Sequence, residues 1–555
     1  MAAQQNTETL FRAVEESLHT VFKEQRYEVP YYQRPYAWEK DNAEELFTDL
    51  VAAFQSNRKG DVSYFLGSVV LFDGGKSDRH KIIDGQQRLV TLQLLLLALA
   101  NQIKDATNKE ELLSYVRSKE NVFAGTKSEP VVKIGERYQK FFEKLVYSPD
   151  AVVDDGKLSK PEQLLLGNYR YFQQAVQDST DLDPIKFAVF VMQRCLVASL
   201  RARQEQSALR IFTVLNDRGV DLHPVDILKA QLISGAGVSD SEMERYAREW
   251  EENEYALGRT EFLNLFNYIR MIFVKSRSKR LLHEEIIEEI NSKPKIRNFL
   301  DEELPLYCDL YAEILNPTDH EVRNIVKVLE ATGQKDWVAP MLFMLKHKDK
   351  LDTRFTPILK KLAAVSLMML CTPFTEGQRV GRYGRIIVEL ESLIAGSSPD
   401  KLTNLSATDD ELAKIEQNLQ ADAYSLRNIR AFLLWSETLV GDGGRSIESG
   451  KMTVEHLLPN KVGDEKYWQD RFPGDQWAKH ANQIGNLVLV SSRMNSKMSR
   501  RSFPDKKKII KKRVKGGWII TDQALENNDW IPGLVMGRSE DLLKRAKSAM
   551  RAKIV

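Results

Sequence analysis

From Glu8 to Phe22 the apolar residues recur at helical spacing, and Tyr27-Glu28-Val29-Pro30 then reads as a short extended segment ended by proline. Phe65–Phe72 has the apolar, β-branched character of a strand, Gly74-Gly75 that of a turn, and Lys81–Asp84 that of a second strand, so the pattern predicts a hairpin. Gly85 opens a turn, and the leucine-rich stretch Gln86–Gln102 predicts a buried helix that begins on Gln-Gln-Arg. Helical periodicity dominates from Pro161 to about Gly235 and from Ser239 to Ile394, with loops at Asn316-Pro317 and Gly396–Pro399. The glycine-rich stretch Gly441–Gly450 marks a domain boundary. After it, Met452–His456 and Gly485–Ser491 read as short strands, followed by a polar turn and a basic helix. No internal repeat is found.

At roughly 100–200 residues per domain, a chain of 555 residues accommodates three or more domains. Its 43% hydrophobic and 28% charged residues are those of a folded globular protein, which excludes wholesale disorder and fibrous repeats. The longest strongly apolar run, Leu94–Ala100, is far shorter than the roughly 20 residues that cross a bilayer. The first residues also lack a basic start followed by an apolar stretch. A cytoplasmic protein without a membrane partner is therefore expected. Cys195, Cys308 and Cys371 are widely spaced, which suits reduced core thiols and cannot build a Cys-x-x-Cys zinc knuckle.

The formal net charge of +2 hides an uneven distribution. Between Arg493 and Lys515 eleven Lys or Arg face the single Asp505, so the remainder of the chain is acidic. Such concentration is the footprint of phosphate contacts, and equally of a solvated basic helix. Arg493, Lys497, Arg500, Arg501, Lys506 and Lys507 are the candidate DNA contacts.

Directly before this segment, Val454-Glu455-His456-Leu457-Leu458-Pro459 ends a strand in a histidine; Gly485-Asn486-Leu487 and Asn495 follow. Phosphodiester hydrolysis needs an activated water and a cation that stabilises the departing oxygen. A neutral imidazole beside an oxygen-ligated Mg²⁺ or Mn²⁺ is the minimal kit. His456 is the candidate base, Glu455 and Asn495 are candidate hard-oxygen ligands, and Asn486 is placed to hold the imidazole or the turn. Taken alone, a Glu-His pair before two leucines equally suits a structural strand end. Together these residues resemble the HNH, or ββα-metal, nucleases in the DUF1524 variant, to which Phe503, Lys506, Lys507, Trp530 and Arg538 are also similar. The resemblance implies that His456 is the general base, Asn495 a metal ligand and Asn486 the central asparagine that orients the site. Glu455 stands where many HNH sites have aspartate, and without knuckle cysteines zinc is not expected.

Near the amino terminus, Val29–Trp38 contains Tyr31, Gln33 and Arg34, and Ile83–Leu92 contains Asp84-Gly85-Gln86-Gln87-Arg88. Aromatic faces stack a base and a guanidinium forks a phosphate, while Gly85 lets backbone approach an anion at the start of a helix. Gln86 or Gln87 suits positioning a water, and Asp84 a cation or partner arginine. No Walker-type loop is present, so any nucleoside triphosphate binds outside that class. A tight turn with an internal Asp–Arg pair is the competing reading. These motifs resemble the DUF262 family, the sensor part of GmrSD-type restriction enzymes, with a third element in Ala208–Gly219 followed by Leu222, Asp226 and Lys229. The resemblance implies a ParB-like core in which Gln33, Arg34, Asp84, Gln86, Gln87, Arg88, Asn216 and Arg218 line a pocket for nucleotide or modified DNA.

The order of the two resemblances is that of type IV restriction enzymes and is similar to SspE-like and BrxU-like phage-defence proteins. A predominantly helical α+β chain is expected: a ParB-like α/β core over 1–235, a helical connecting domain over 236–440 and an HNH nuclease over 441–555. The implied protein binds and hydrolyses GTP, UTP or ATP, senses DNA modification and nicks or cuts DNA with Mg²⁺ or Mn²⁺. Double-strand cutting by one site per chain would call for a homodimer or two nicks. The rival is a nucleotide-gated DNA-binding regulator without turnover.

Overall fold

The structure, a computed structural model, describes residues 11–57, 63–73, 78–120, 123, 125–152, 156–204, 208, 224–440, 452–461, 466–512 and 518–551. They form two compact units, Met1–Glu251 and Glu252–Val555. The boundary falls within helix Asp240–Leu257, so most of the stretch expected as a connecting domain shares a unit with the carboxy-terminal elements.

The first unit is built on a six-stranded mixed sheet of β1 (Phe11–Ser17), β2 (Tyr27–Glu28), β3 (Tyr64–Phe72), β4 (His80–Asp84), β5 (Val132–Lys133) and β6 (Cys195–Ala202), in the order β1-β6-β3-β4-β2-β5. The expected β3–β4 pairing is antiparallel; its turn at Gly74-Gly75 lies outside the described residues. Two elements depart from expectation. Phe11–Ser17 forms a strand rather than the start of a helix, because all seven residues pair antiparallel with β6, and the helix begins only at Leu18 with Ser17 as its cap. β6 itself interrupts a stretch expected to be helical. Its buried positions, Cys195, Val197 and Ser199, alternate as a sheet face requires.

Helix Gln86–Gln102 follows β4 through Gly85. Fourteen of its seventeen residues are buried, so it is apolar nearly all round, as a helix enclosed by other elements must be. Helix Lys160–Asp178 covers it and contributes Leu165, Tyr169 and Phe172 to the same core.

The second unit is a helical assembly that carries a two-stranded ribbon, β7 (Met452–His456) and β8 (Leu487–Ser491), paired antiparallel with His456 opposite Leu487. The ribbon leads into helix Ser492–Met498, which completes a strand–strand–helix module. Buried side chains lock the helices together. Glu437 of helix Ile429–Val440 accepts from the backbone N–H of Ile519 and Ile520 at 2.5 and 3.0 Å. Lys361 of helix Phe355–Cys371 donates to the carbonyls of Ala549 and Met550 at 2.9 and 3.0 Å, capping the last helix. Among the described residues no helix is long and apolar enough to cross a membrane.

Candidate active site

The ribbon positions the carboxy-terminal residues. Asn486, fully buried, uses both ends of its amide: Oδ1 accepts from Leu458 N at 2.7 Å and Trp530 Nε1 at 3.0 Å, while Nδ2 donates to the carbonyls of Leu458 and Ala481. It therefore holds the turn beyond His456 and leaves the imidazole to another residue. All four bonds are internal, so Asn486 positions the turn. Gly485 beside it cannot be replaced, since a Cβ there would lie 2.1 Å from the Val535 carbonyl oxygen. Arg538, half-buried, donates to the carbonyls of Gly485 and Leu487 at 2.6 and 2.8 Å and so clamps the same loop.

The residue that holds the imidazole is Asn482. Its Oδ1 lies 3.1 Å from His456 Nε2. An amide oxygen only accepts, so Nε2 carries the proton and Nδ1 keeps a lone pair. Burial holds the His456 imidazole below its usual range; the Asn482 hydrogen bond and the charge of Asp422 oppose this, and the charge of Lys506 adds to it. A neutral base at physiological pH is the result.

Strand alternation sends the side chains of Thr453 and Glu455 to one side of β7 and that of His456 to the other. On the first side Asn495 donates to Thr453 Oγ1 at 2.9 Å and to the Val454 carbonyl at 3.3 Å, which leaves its Oδ1 as a free acceptor type. Glu455 Oε1 pairs with Lys506 Nζ at 2.8 Å, and the same ammonium donates to the His456 carbonyl at 2.5 Å. Burial raises the Glu455 carboxyl above its usual range, and the charge and hydrogen bond of Lys506 work against that rise.

Among the described residues no group of three or more His, Cys, Asp or Glu gathers. The candidate donors at the module are two oxygens, Glu455 Oε2 and Asn495 Oδ1. This set fits Mg²⁺ or Mn²⁺, hard ions that retain water and take one or two protein oxygens.

The basic segment divides in two. Arg493, Lys497, Arg500 and Arg501 are exposed on and just after the helix that carries Asn495. Lys506 has no exposed surface and Lys507 donates to the Asn527 carbonyl at 2.8 Å. Its burial removes Lys506 from the candidate DNA contacts, while half-buried Lys507 spends a donor on this internal bond.

In the first unit, the amides of the Gln-Gln pair staple the Val29–Trp38 segment onto the start of helix Gln86–Gln102. Gln86 Nε2 donates to the Arg34 carbonyl at 2.8 Å; Gln87 accepts from Ala37 N at 2.8 Å and donates to the Pro35 carbonyl at 3.2 Å. Gln33 Nε2 donates to the Ile83 carbonyl at 2.8 Å. These three amides thus hold backbone, which narrows what they can offer a ligand. Gln86 Oε1 is the exception, buried without a hydrogen-bond partner among the described residues.

Gly85 caps the helix with φ 87° and, having no side chain, makes no capping hydrogen bond to the first helical N–H groups. Arg88 donates to the Ser68 carbonyl at 3.1 Å, and Arg34 is exposed. Burial raises the Asp84 carboxyl, with the Gly85 N–H and the charges of Arg88 and Arg34 opposing. Tyr31 meets Tyr32 edge-on at 5.3 Å. Asn216 and Arg218 lie outside the described residues.

Two family models match the chain. The GmrSD restriction endonuclease N-terminal domain covers residues 18–233, and the GmrSD restriction endonucleases C-terminal domain covers residues 406–545. The second match begins well before residue 441 and takes in the helices from Asp409 to Val440. No curated protein matches the chain.

Proposed function

We propose, from the premise that this chain belongs to the GmrSD restriction endonucleases, that it cleaves modified phage DNA at the His456 module under the control of a nucleotide bound at the Asp84–Arg88 turn. The observation that carries the cleavage reading is the His456–Asn482 bond, which fixes the tautomer and leaves Nδ1 as the base. His456 Nδ1 takes a proton from the attacking water, and the resulting imidazolium is stabilised by Asn482 Oδ1 and the charge of Asp422. Glu455 and Asn495 would hold the divalent ion, which supplies stabilisation of charge on the departing oxygen. Since neighbours on a strand face opposite sides, a phosphate served by both groups spans the end of β7. Arg493, Lys497, Arg500 and Arg501 bind flanking phosphates without reading sequence. One such site nicks one strand per encounter, so a double-strand cut takes a second copy of the chain or a second event.

In the first unit, the helix start, Arg88 and Arg34 receive the phosphates of GTP, UTP or ATP. Tyr31 offers a ring to the base, and the orphaned Gln86 Oε1 accepts from a ligand donor. Digestion of matched modified and unmodified DNA, with and without each nucleotide, tests the reading. Modification-dependent cleavage that responds to nucleotide, and an Arg88→Ala variant that loses the response, are expected. Equal cleavage of both DNAs would remove the sensor role.

A further inference from the structure

We infer that Tyr424, on the turn between helices Asp409–Asp422 and Ile429–Val440, is a positioning residue for the His456 imidazole, an inference that rests on His456 being the base of the cleavage reaction. The turn arrives from the helical part of the second unit and belongs to neither the strand ribbon nor the basic helix. Its ring nevertheless packs on the imidazole, with centroids 4.3 Å apart and planes inclined at 57°.

Asn482 joins the two. Its main-chain carbonyl accepts from Ala423 N at 2.9 Å and Tyr424 N at 3.3 Å, while its side-chain oxygen accepts from Nε2 of His456. The base and the turn therefore hang on one residue, from opposite ends of it. The turn is also held internally: Ser425 N donates to Asp422 Oδ1 at 3.1 Å and Leu426 N to the Ala423 carbonyl at 3.2 Å. It is a rigid platform, and it presents a ring that contributes little to the core, since Tyr424 is 44% exposed.

The physical need for such a ring follows from the rest of the site. One hydrogen bond at Nε2 fixes the tautomer but permits the imidazole to rock about its bond to Cβ. A ring packed against the imidazole at 4.3 Å restricts that freedom. A displacement of about 1 Å at the reacting atom is enough to cost on the order of 10²-fold in rate. The ring, rather than the hydroxyl, is the part in contact, so phenylalanine retains the function and alanine does not. Because Tyr424 acts through His456 and not on the phosphate, the loss falls on kcat and spares KM.

Nicking of supercoiled plasmid by the full-length chain, at varied DNA concentration, tests this with Tyr424→Ala, Tyr424→Phe and His456→Ala side by side. Tyr424→Ala lowers kcat by about 10- to 100-fold with KM unchanged. Tyr424→Phe stays within about threefold of the parent, and both keep the parent melting temperature. Full activity of Tyr424→Ala, equal losses in the Ala and Phe variants, or a loss confined to KM would each overturn the inference. Failure of the cleavage reading looks different: the parent does not cut, or His456→Ala cuts as well as the parent. An activity-independent measurement covers that case. The ¹⁵N imidazole signals of His456, assigned by their disappearance in His456→Ala, report the Nε2–H tautomer in both proteins, sharp in the parent and broadened by ring motion in Tyr424→Ala. Equally sharp signals in both would overturn the positioning role.

Discussion

Lys506 pairs with Glu455 at 2.8 Å in the interior while donating to the carbonyl of the very next residue, His456. A lysine that looks like one more phosphate contact in a basic run is instead the cation that makes a buried carboxylate tolerable beside the base. Removing it leaves Glu455 buried and uncompensated, and breaking a buried pair in this way costs about 3–5 kcal/mol. Lys506→Met is therefore expected to lower the unfolding free energy measured by urea titration by that amount. Arg501→Met, at an exposed neighbour, changes it by less than about 0.5 kcal/mol. Adding Glu455→Gln to Lys506→Met recovers part of the loss.

The exposed cations behave differently. Arg493→Ala and Arg500→Ala each weaken DNA binding to the same extent on every sequence. Each also reduces the slope of log affinity against log salt concentration by about 1, the signature of one lost phosphate contact. Lys507→Gln leaves that slope unchanged, because its ammonium is committed to the Asn527 carbonyl. Fluorescence anisotropy across a salt series measures both. A slope loss in Lys507→Gln would place that residue on the DNA surface.

Asp84 carries a stability signature of its own. Its carboxyl is raised above the usual range by burial, so the folded state binds the proton more tightly than the unfolded chain. Stability from this group is present at low pH and is lost as pH rises through the raised value. Asp84→Asn removes the ionisation, so its melting temperature at pH 7 exceeds the parent's by a few degrees. The difference shrinks toward zero as the parent is acidified and Asp84 takes up its proton. A variant less stable than the parent at pH 7 would show that the charge is compensated in place.

What could be read from the sequence follows from where a local pattern and the fold agree. Gly85 and the leucines of Gln86–Gln102 specify a turn and an enclosed helix without outside help, and β7 and β8 fall where their apolar runs lie. The strand Phe11–Ser17 was hidden because its helical spacing is overridden by pairing with a partner more than 170 residues away. The burial of Lys506 did leave a trace: Phe503, Lys506 and Ile510 stand at helical spacing and form one buried face. Asn482 lies four residues before Asn486 with no feature that separates it from a loop asparagine. Tyr424 is contributed by a different helical segment, and no spacing within the motif points to it. Sequence thus indicated which residue types gather at the module, while the fold decides which of them hold backbone and which face the base.

The central claim is that His456, held by Asn482, is the base of a divalent-ion-dependent DNA nuclease. Conversion of supercoiled plasmid to nicked circles by the full-length chain, with Mg²⁺ or Mn²⁺ and with EDTA, tests it most directly. Cleavage with either ion, none with EDTA, and a loss of at least about 10²-fold in His456→Ala at unchanged melting temperature are the predicted results. Undiminished cleavage by His456→Ala, or cleavage that survives EDTA, would contradict it.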